Sequence, residues 1–203
     1  DWSVTGVQTC ALPISIKKSS DDSTVETIDV TSNQVTGSGT STITINPGSD
    51  LSSATEFYVL IDATAFDDSA SNSYAGISDK TTLSFTTSDI VAPTLSSSTP
   101  SDNSTSIAVD SNIVLNFSEA VDVESGNITI KKSSDDSTVE TIDVTSNQVT
   151  GSGTSTITIN PSSDLSSSTE FYVLIDATAF DDSASNSYAG ISDKTTLSFT
   201  TSD

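Results

Sequence analysis

Short clusters of Val, Ile, Leu and Phe recur along the chain, and many of them alternate with Ser, Thr or Asn. This alternation predicts half-buried β-strands, because successive side chains of a strand point to opposite faces of the sheet. Helices repeat every 3.6 residues, and no ten-residue stretch shows that period. The pattern therefore predicts an all-β protein and argues against a disordered chain.

The last 114 residues divide into about seven predicted strands with turn residues between them. The sixth strand is the most apolar, so we expect it to be central in its sheet. In the second strand, Ile113, Leu115 and Phe117 share one face, which we expect to be buried. Short strands with turns about every 8–12 residues are typical of an Ig-like antiparallel β-sandwich. The predicted ranges are 94–99, 112–118, 127–132, 138–144, 155–160, 169–177 and 195–201.

An internal repeat sets the domain organisation. Residues 16–89 recur as residues 130–203, and the copies differ only at Gly48 against Ser162 and at Ala54 against Ser168. The offset of 114 residues is too long for a solenoid repeat and matches one whole domain. We therefore predict tandem domains. They comprise a complete copy at 90–203 and a truncated copy at 14–89 that lacks its first strands.

The first 13 residues do not match the repeat and hold the only Trp and the only Cys of the chain. From Val4 to Ile14 they read V-T-G-V-Q-T-C-A-L-P-I, which is a translation of a common sequencing-library adapter. We interpret residues 1–13 as an adapter artefact and exclude them from the functional reasoning. The alternative is a genuine divergent strand. Without Cys10 the chain is cysteine-free, which suits a secreted bacterial repeat protein.

The charge balance excludes several classes of function. The chain has 28 acidic residues, six Lys, no Arg and no His, and a formal net charge of −22. Without His it cannot form a Ser-His-Asp triad, a Cys-His pair or a His/Cys zinc site. We expect no binding to nucleic acid or to an anionic membrane surface, since both require Lys or Arg. No apolar run approaches 18 residues, so we expect no membrane insertion either.

Catalysis is not expected from the remaining polar residues. Paired carboxylates such as Asp181 and Asp182 cleave glycosides only inside a substrate cleft, and a sandwich with short loops offers none. Ser and Thr are abundant, but no base is present to activate them. The sequence therefore predicts that the chain is not an enzyme and has no catalytic residues.

Several segments of the complete copy carry a family resemblance. They are A-P-T-L-S-S-S-T-P-S-D-N at Ala92–Asn103, I-V-L-N-F-S-E-A-V at Ile113–Val121, S-S-S-T-E-F-Y-V-L-I at Ser166–Ile175, D-D-S-A-S-N-S-Y-A-G at Asp181–Gly190 and L-S-F-T-T at Leu197–Thr201. Residues 90–203, and 16–89 by repetition, resemble the bacterial Ig-like domains of S-layer and giant surface proteins, of the SbsA-like type. The loop of that family usually reads D-x-A-G-N. Ser185 replaces its Gly here, which weakens the expectation of a tight left-handed turn.

The resemblance implies a non-catalytic spacer or adhesive module in a long array of a secreted or cell-surface bacterial protein. The expected partners are neighbouring identical repeats of the same chain, together with an unidentified surface or glycan ligand. The alternative is an accessory module of a secreted polysaccharide-degrading enzyme. The full length of the parent gene separates the two, since many further copies favour the array and a catalytic domain favours the enzyme.

Acidic loops are expected to gather at the junction between domains and to bind Ca²⁺, the one cofactor expected here. In an Ig-like sandwich the loops after the second and sixth strands share one end with the start of the first strand. Oxygen-rich clusters of carboxylates suit Ca²⁺, although no EF-hand pattern is present. Lys194 is the only cation expected nearby, and the alternative is a solvated acidic end that keeps the array soluble. The predicted metal residues are Asp89, Glu119, Asp122, Glu124, Asp176, Asp181, Asp182, Asn186 and Asp193.

Overall fold

The computed structural model describes residues 12–203 and divides the chain into two compact units, with the boundary in sequence between Asp89 and Ile90. Residues 1–11 of the predicted adapter segment lie outside the described residues, so its interpretation remains a prediction. All regular structure in the described part consists of β-strands, as the sequence predicts. No helix in this part of the chain is long and apolar enough to cross a membrane.

The strands follow the repeat. Between residues 12 and 89 the first unit contains β1 (Pro13–Lys18), β2 (Thr24–Asp29), β3 (Val35–Thr36), β4 (Thr44–Ile45), β5 (Glu56–Ile61) and β6 (Ser84–Thr86). The second unit contains β7 (Leu95–Thr99), β8 (Ser104–Ile107), β9 (Ile113–Val123), β10 (Asn127–Lys132), β11 (Thr138–Asp143), β12 (Val149–Thr150), β13 (Thr154–Ile159), β14 (Glu170–Ile175), β15 (Phe180–Asp181) and β16 (Ser198–Thr201).

The second unit is an Ig-like sandwich of two sheets. One sheet has the order β11-β10-β14-β16-β8, and the other has the order β12-β13-β9-β15 with β7 also paired to β9. All neighbours are antiparallel except β16 and β8, which are parallel. The apolar strand β14 is central in its sheet, as predicted.

All seven predicted strands of this unit are present, with one large difference in length. The strand predicted at 112–118 continues to Val123, because Val121 extends its buried row and Val123 pairs with Phe180. Glu119 and Asp122 therefore lie within a strand, and their predicted placement in a loop is wrong. The short strands β8, β12 and β15 were not predicted.

The core of the second unit is filled by the inward faces of both sheets. Ile113, Leu115 and Phe117 of β9 are buried, as predicted. The centroid of the Phe117 ring lies 5.4 Å from that of Phe180 and 5.1 Å from that of Tyr188. Such tilted and edge-on contacts are favourable for aromatic rings, so β9 anchors the chain that follows β14 to the core.

The first unit repeats one sheet of this sandwich. Its order β2-β1-β5-β6 matches β11-β10-β14-β16, and the residue pairing is the same after subtraction of the repeat offset. The other sheet differs, because the sequence of this copy has no counterpart of β9. In place of the six-residue strand β13 it has only β4, a two-residue strand paired with β3.

Side chains of identical sequence are consequently less buried in the first unit. Phe85 is 40% exposed, whereas its counterpart Phe199 is 2% exposed. Tyr74 is 43% exposed, whereas its counterpart Tyr188 is 6% exposed. Over its described residues, the first unit therefore has one four-stranded sheet and the short pair β3–β4, whereas the second unit has two full sheets.

Candidate functional site

Two aspartates face each other at the end of β9 in the second unit. Asp181 in β15 is the antiparallel partner of Asp122, and Phe180 is the partner of Val123. Partial burial, the negative charge of Asp122 and that of Asp182 together raise the pKa of Asp181. The carboxylate of Asp181 is therefore held in an unfavourable environment, which a cation or a proton would relieve.

The next residue, Asp182, is 4% exposed and organises its own loop. Its Oδ1 accepts hydrogen bonds from the backbone N–H of Ala184 (2.8 Å) and of Asn186 (2.9 Å), and its Oδ2 accepts one from Asn186 Nδ2 (2.8 Å). Burial acts to raise the pKa of Asp182, but these hydrogen bonds from Asn186 and Ala184 outweigh it and lower the pKa.

This loop does contain the tight left-handed turn that the replacement of Gly made doubtful. Ser185 has a φ of 66°, a conformation that costs an L-residue free energy. The three hydrogen bonds to Asp182 hold the chain on both sides of Ser185, which offsets that cost. The same turn occurs in the first unit, where Ser71 has a φ of 61° and Asp68 accepts the corresponding hydrogen bonds.

Glu119 completes an acidic group on this part of the second unit. One of its carboxylate oxygens lies within 4.8 Å of one from Asp182. The negative charges of Asp122 and Asp182 both raise the pKa of Asp181. The four acidic residues therefore form one cluster, which consists of Glu119, Asp122, Asp181 and Asp182, and Asn186 donates a hydrogen bond to Asp182. We call this cluster the acidic end. Carboxylate and amide oxygens of this kind are what Ca²⁺ prefers.

Two further predicted residues lie at the start of β10. Asp176 Oδ2 accepts a hydrogen bond from the backbone N–H of Asn127 (2.8 Å). The backbone N–H of Glu124 donates to Ala179 (3.0 Å), and its side chain is exposed. Asp176 therefore has a structural role in joining β14 to β10.

The structure separates Asp193 and Lys194 from this arrangement. Asp193 Oδ1 accepts hydrogen bonds from the N–H and hydroxyl of Thr195, which lower its pKa. Lys194 forms an ion pair of 3.4 Å with Asp136 in the turn between β10 and β11. That turn lies at the other end of β10 from Asn127, so the prediction of Lys194 as the cation near the acidic end is wrong.

The contacts of Lys194 belong to a polar group that the sequence analysis missed. Tyr172 donates a hydrogen bond from its hydroxyl to Asp136 (3.0 Å), and Lys194 lies beside the same carboxylate. Burial, together with Asp136, raises the pKa of Tyr172. The group borders an open depression of about 570 Å³, and Tyr58, Asp22 and Lys80 repeat it in the first unit. Because both copies keep it, it belongs to the architecture of the repeat.

Asp89, the remaining predicted residue, is the last residue of the first unit. Within that unit its Oδ1 accepts a hydrogen bond from the hydroxyl of Ser53 (3.0 Å). The calcium site predicted from these residues stays a prediction.

Comparison with known proteins gives one match. A protein-family model described as a bacterial Ig-like domain matches residues 7–87 and, separately, residues 89–201. A search of curated proteins found no match, and neither did a search of solved structures.

Proposed function

Because the chain belongs to the bacterial Ig-like domain family, we propose that it is a structural spacer module in an array of repeats on a secreted or cell-surface bacterial protein. The finer assignment is to the type found in S-layer and adhesive surface proteins. Its function is mechanical: each complete repeat adds a fixed length, and the array carries an adhesive or surface-coating element away from the cell.

The short connection between the two units is the observation that carries this proposal. The first unit holds its backbone as far as Ser88, whose carbonyl accepts a hydrogen bond from Ala54 N–H (3.2 Å). The second unit holds its chain from Thr94 onward, where Ser118 N–H donates to the carbonyl of Thr94 (2.9 Å). Only residues 89–93 lie between these two points, and a connection this short limits the range of bending.

Electrostatics favours the same role. A net charge of −22 on 203 residues keeps neighbouring chains apart and keeps an array soluble. The two salt bridges among the described residues, Lys80–Asp22 and Lys194–Asp136, are both on the surface and neutralise little of this charge. Repulsion between successive acidic repeats therefore favours an extended arrangement.

The chemistry of the chain supports a non-catalytic role. The chain has no His, and Asp181, whose carboxyl pKa is raised, belongs to a paired strand rather than to a cleft. The depression beside Tyr172 is open to solvent, and enzyme sites exclude water from the reacting groups. The partners we propose are neighbouring repeats and a surface or glycan ligand at the tip of the array.

Small-angle scattering on chains of two, three and four copies of residues 90–203 tests the spacer function. We expect the maximum dimension to rise by a constant increment with each added copy. A dimension that grows only as the cube root of copy number would show a collapsed assembly and would contradict the proposal. The matched control inserts a long Gly/Ser segment into each 89–93 connection, which should remove the constant increment.

The alternative function, an accessory module of a secreted polysaccharide-degrading enzyme, is distinguished by the complete parent gene. Further copies of the 114-residue repeat on both sides favour the spacer. A single catalytic domain beside one or two copies favours the accessory module.

A further inference from the structure

The depression beside Tyr172 lies on the outer face of the sheet that contains β10 and β14. Lys131 of β10 is the antiparallel partner of Tyr172, and Leu174 follows on the same face of β14. The sequence neighbours Ile130 and Val173 belong to the core, so the face that carries Lys131 and Leu174 points away from it. All three side chains of this face line the depression.

The loop before β16 forms the other side of the depression and is held by its own hydrogen bonds. Its residues 192–195 line the depression and are exposed. Asp193 Oδ1 accepts hydrogen bonds from the N–H and the hydroxyl of Thr195, both of 2.7 Å. Lys194 is paired with Asp136, which also borders the depression. The site is therefore preformed, and a ligand would not have to order the loop on binding.

The charges around the depression balance one another. Its lining contains two lysines, Lys131 and Lys194, and two aspartates, Asp136 and Asp193. Hydrogen bonds from neighbouring hydroxyl and N–H groups lower the pKa of both aspartates, so both are ionised at neutral pH. The chain as a whole has a formal charge of −22. An anionic ligand would be repelled by the chain without a net attraction to the depression, which favours a neutral ligand.

The depression offers donors and acceptors that the described part of the chain leaves unused. Within that part the ammonium group of Lys131 has neither an ion pair nor a hydrogen bond. The side-chain hydrogen bonds of Asp136 and Asp193 are all accepted by Oδ1, so that Oδ2 of each has none among the described residues. Leu174 is half-buried and adds an apolar surface. Sugar hydroxyls both donate and accept hydrogen bonds, and the C–H face of a pyranose ring is apolar, so a neutral sugar suits this combination.

We propose that the depression is a binding site for a neutral glycan. Lys131 donates to the sugar hydroxyls, Asp136 and Asp193 accept from them, and one face of a sugar ring lies against Leu174. The volume of about 570 Å³ is within the range of about 300–1,000 Å³ that is typical of small-ligand sites. Because the depression is open to solvent, a longer polysaccharide chain can pass through it.

This inference goes beyond the spacer function, because a site in each repeat would attach an array to a polysaccharide along its length. The first unit keeps the contacts of the polar group, with Tyr58 Oη 3.0 Å and Lys80 Nζ 3.2 Å from Asp22 Oδ1. The residues at the equivalent positions of the first unit are Lys17, Asp22, Tyr58, Leu60, Asp79 and Lys80.

Saturation-transfer NMR on the full chain tests the proposal with neutral and acidic sugars side by side. The neutral probes are oligosaccharides of two to four units of glucose, galactose, mannose or N-acetylglucosamine, and the acidic probe is trigalacturonate. We expect at least one neutral probe to bind more tightly than trigalacturonate. Its affinity should not change between about 0.05 M and 0.5 M salt, because no net charge takes part in binding.

Two double variants give a matched comparison. Lys131→Ala with Lys17→Ala removes the unused ammonium group from both copies. Lys132→Ala with Lys18→Ala removes the next lysine in the sequence, and Lys132 does not line the depression of the second unit. Both variants lose two positive charges, so the charge of the chain is the same in each. We expect the first variant to weaken binding by about tenfold or more, because hydrogen bonds from a charged group are lost, and the second to leave binding unchanged.

Three results would overturn the proposal. The first is that none of the neutral probes binds. The second is that both double variants weaken binding equally, which would place the sugar elsewhere on the chain. The third is that trigalacturonate binds more tightly than every neutral probe and loses affinity as salt rises, which would make the depression an anion site. None of these results changes the dimensions of an array measured by scattering, so the spacer function is tested separately.

Discussion

Asp122 and Asp181 are direct partners on the antiparallel strands β9 and β15, so two carboxylates face each other at the rim of the second unit. Like charges opposite one another destabilise a sheet. The pairing persists because Phe180, the neighbour of Asp181, is fully buried and packs against Phe117. The repulsion at the rim is thus a cost that the aromatic packing offsets.

Replacing Asp181 by Asn should therefore stabilise the second unit at pH 7. The pKa of Asp181 is raised in the folded state, so its ionised form opposes folding at pH values above its folded pKa. That opposition fades as the pH falls through the folded pKa towards the unfolded value of about 3.9. We expect a gain of about 0.2–1 kcal/mol at pH 7 that disappears below about pH 4, measured by urea unfolding.

The neighbouring substitution Asp182→Asn should have the opposite sign. Asp182 accepts three hydrogen bonds, and an amide at its position would direct an NH₂ group towards the Nδ2 of Asn186. Its lowered pKa means that it contributes stability above about pH 3.9, which is lost as the pH falls through its folded pKa. We expect a loss of about 1–2 kcal/mol at pH 7. Equal effects of the two variants would contradict this account.

Two glycines in the turn between β12 and β13 offer a test of backbone packing. Gly151 and Gly153 both have positive φ, 103° and 80°. A Cβ on Gly151 would overlap the carbonyl oxygen of Thr156, whereas a Cβ on Gly153 would meet only Asp122 Oδ1 at 3.7 Å. Gly151→Ala should cost about 3 kcal/mol or more, and Gly153→Ala about 1–2 kcal/mol, by urea unfolding. A similar cost for both would show that the close approach of Gly151 is relaxed in solution.

The same substitution made in both copies should show the effect of burial on stability while the local sequence is held constant. Phe199→Ala removes a ring that is buried against Phe171, and we expect a loss of about 3–5 kcal/mol in the unit that carries it. Phe85→Ala removes a ring with the same neighbour, Phe57, but in a half-exposed setting and in a unit that we do not expect to unfold cooperatively, so its cost should stay below about 1 kcal/mol. Local hydrogen exchange measures each unit separately. Equal losses would mean that the first unit is as well covered in solution as the second.

Calcium binding is tested best on a chain of two complete repeats, each with the sequence of residues 90–203. The prediction is heat of binding by calorimetry at millimolar Ca²⁺ and a higher melting temperature, because a divalent cation would neutralise the facing carboxylates. The control carries Glu119→Gln and Asp182→Asn in both copies. No heat and no rise in melting temperature would leave a solvated acidic end, the alternative that the sequence also allows.

Much of the second unit could be predicted from the sequence, because buried rows such as Ile113, Leu115 and Phe117 alternate over long enough stretches. The missed strands β8, β12 and β15 have two to four residues each, too few to show a period. β8 and β15 form through partners distant in sequence, as Ser104 does with Phe199. No local pattern contains that information.

The candidate site was predicted in composition but only partly in position. The acidic residues that were expected in loops predicted an acidic end, and the structure brings together four of them, namely Glu119, Asp122, Asp181 and Asp182. Asp122 and Asp181 face each other because the two-residue strand β15 pairs with β9. The position of β15 is set by the packing of Phe180 against Phe117. The side chain of Lys194 points towards its ion-pair partner Asp136, which lies 58 residues earlier in the chain. The residues around Lys194 in the sequence do not indicate this partner.

The central claim is that residues 90–203 form the complete structural unit and that 16–89 lack half of it. The truncated copy has no counterparts of three buried side chains of β9, which are together worth roughly 5–9 kcal/mol, at about 1.5–3 kcal/mol each. That is comparable to the whole stability of a domain, about 5–15 kcal/mol. The most direct measurement is thermal unfolding of 90–203 and of 16–89, each expressed alone. We predict one cooperative transition for 90–203 and none for 16–89. A cooperative transition in 16–89 would contradict the claim.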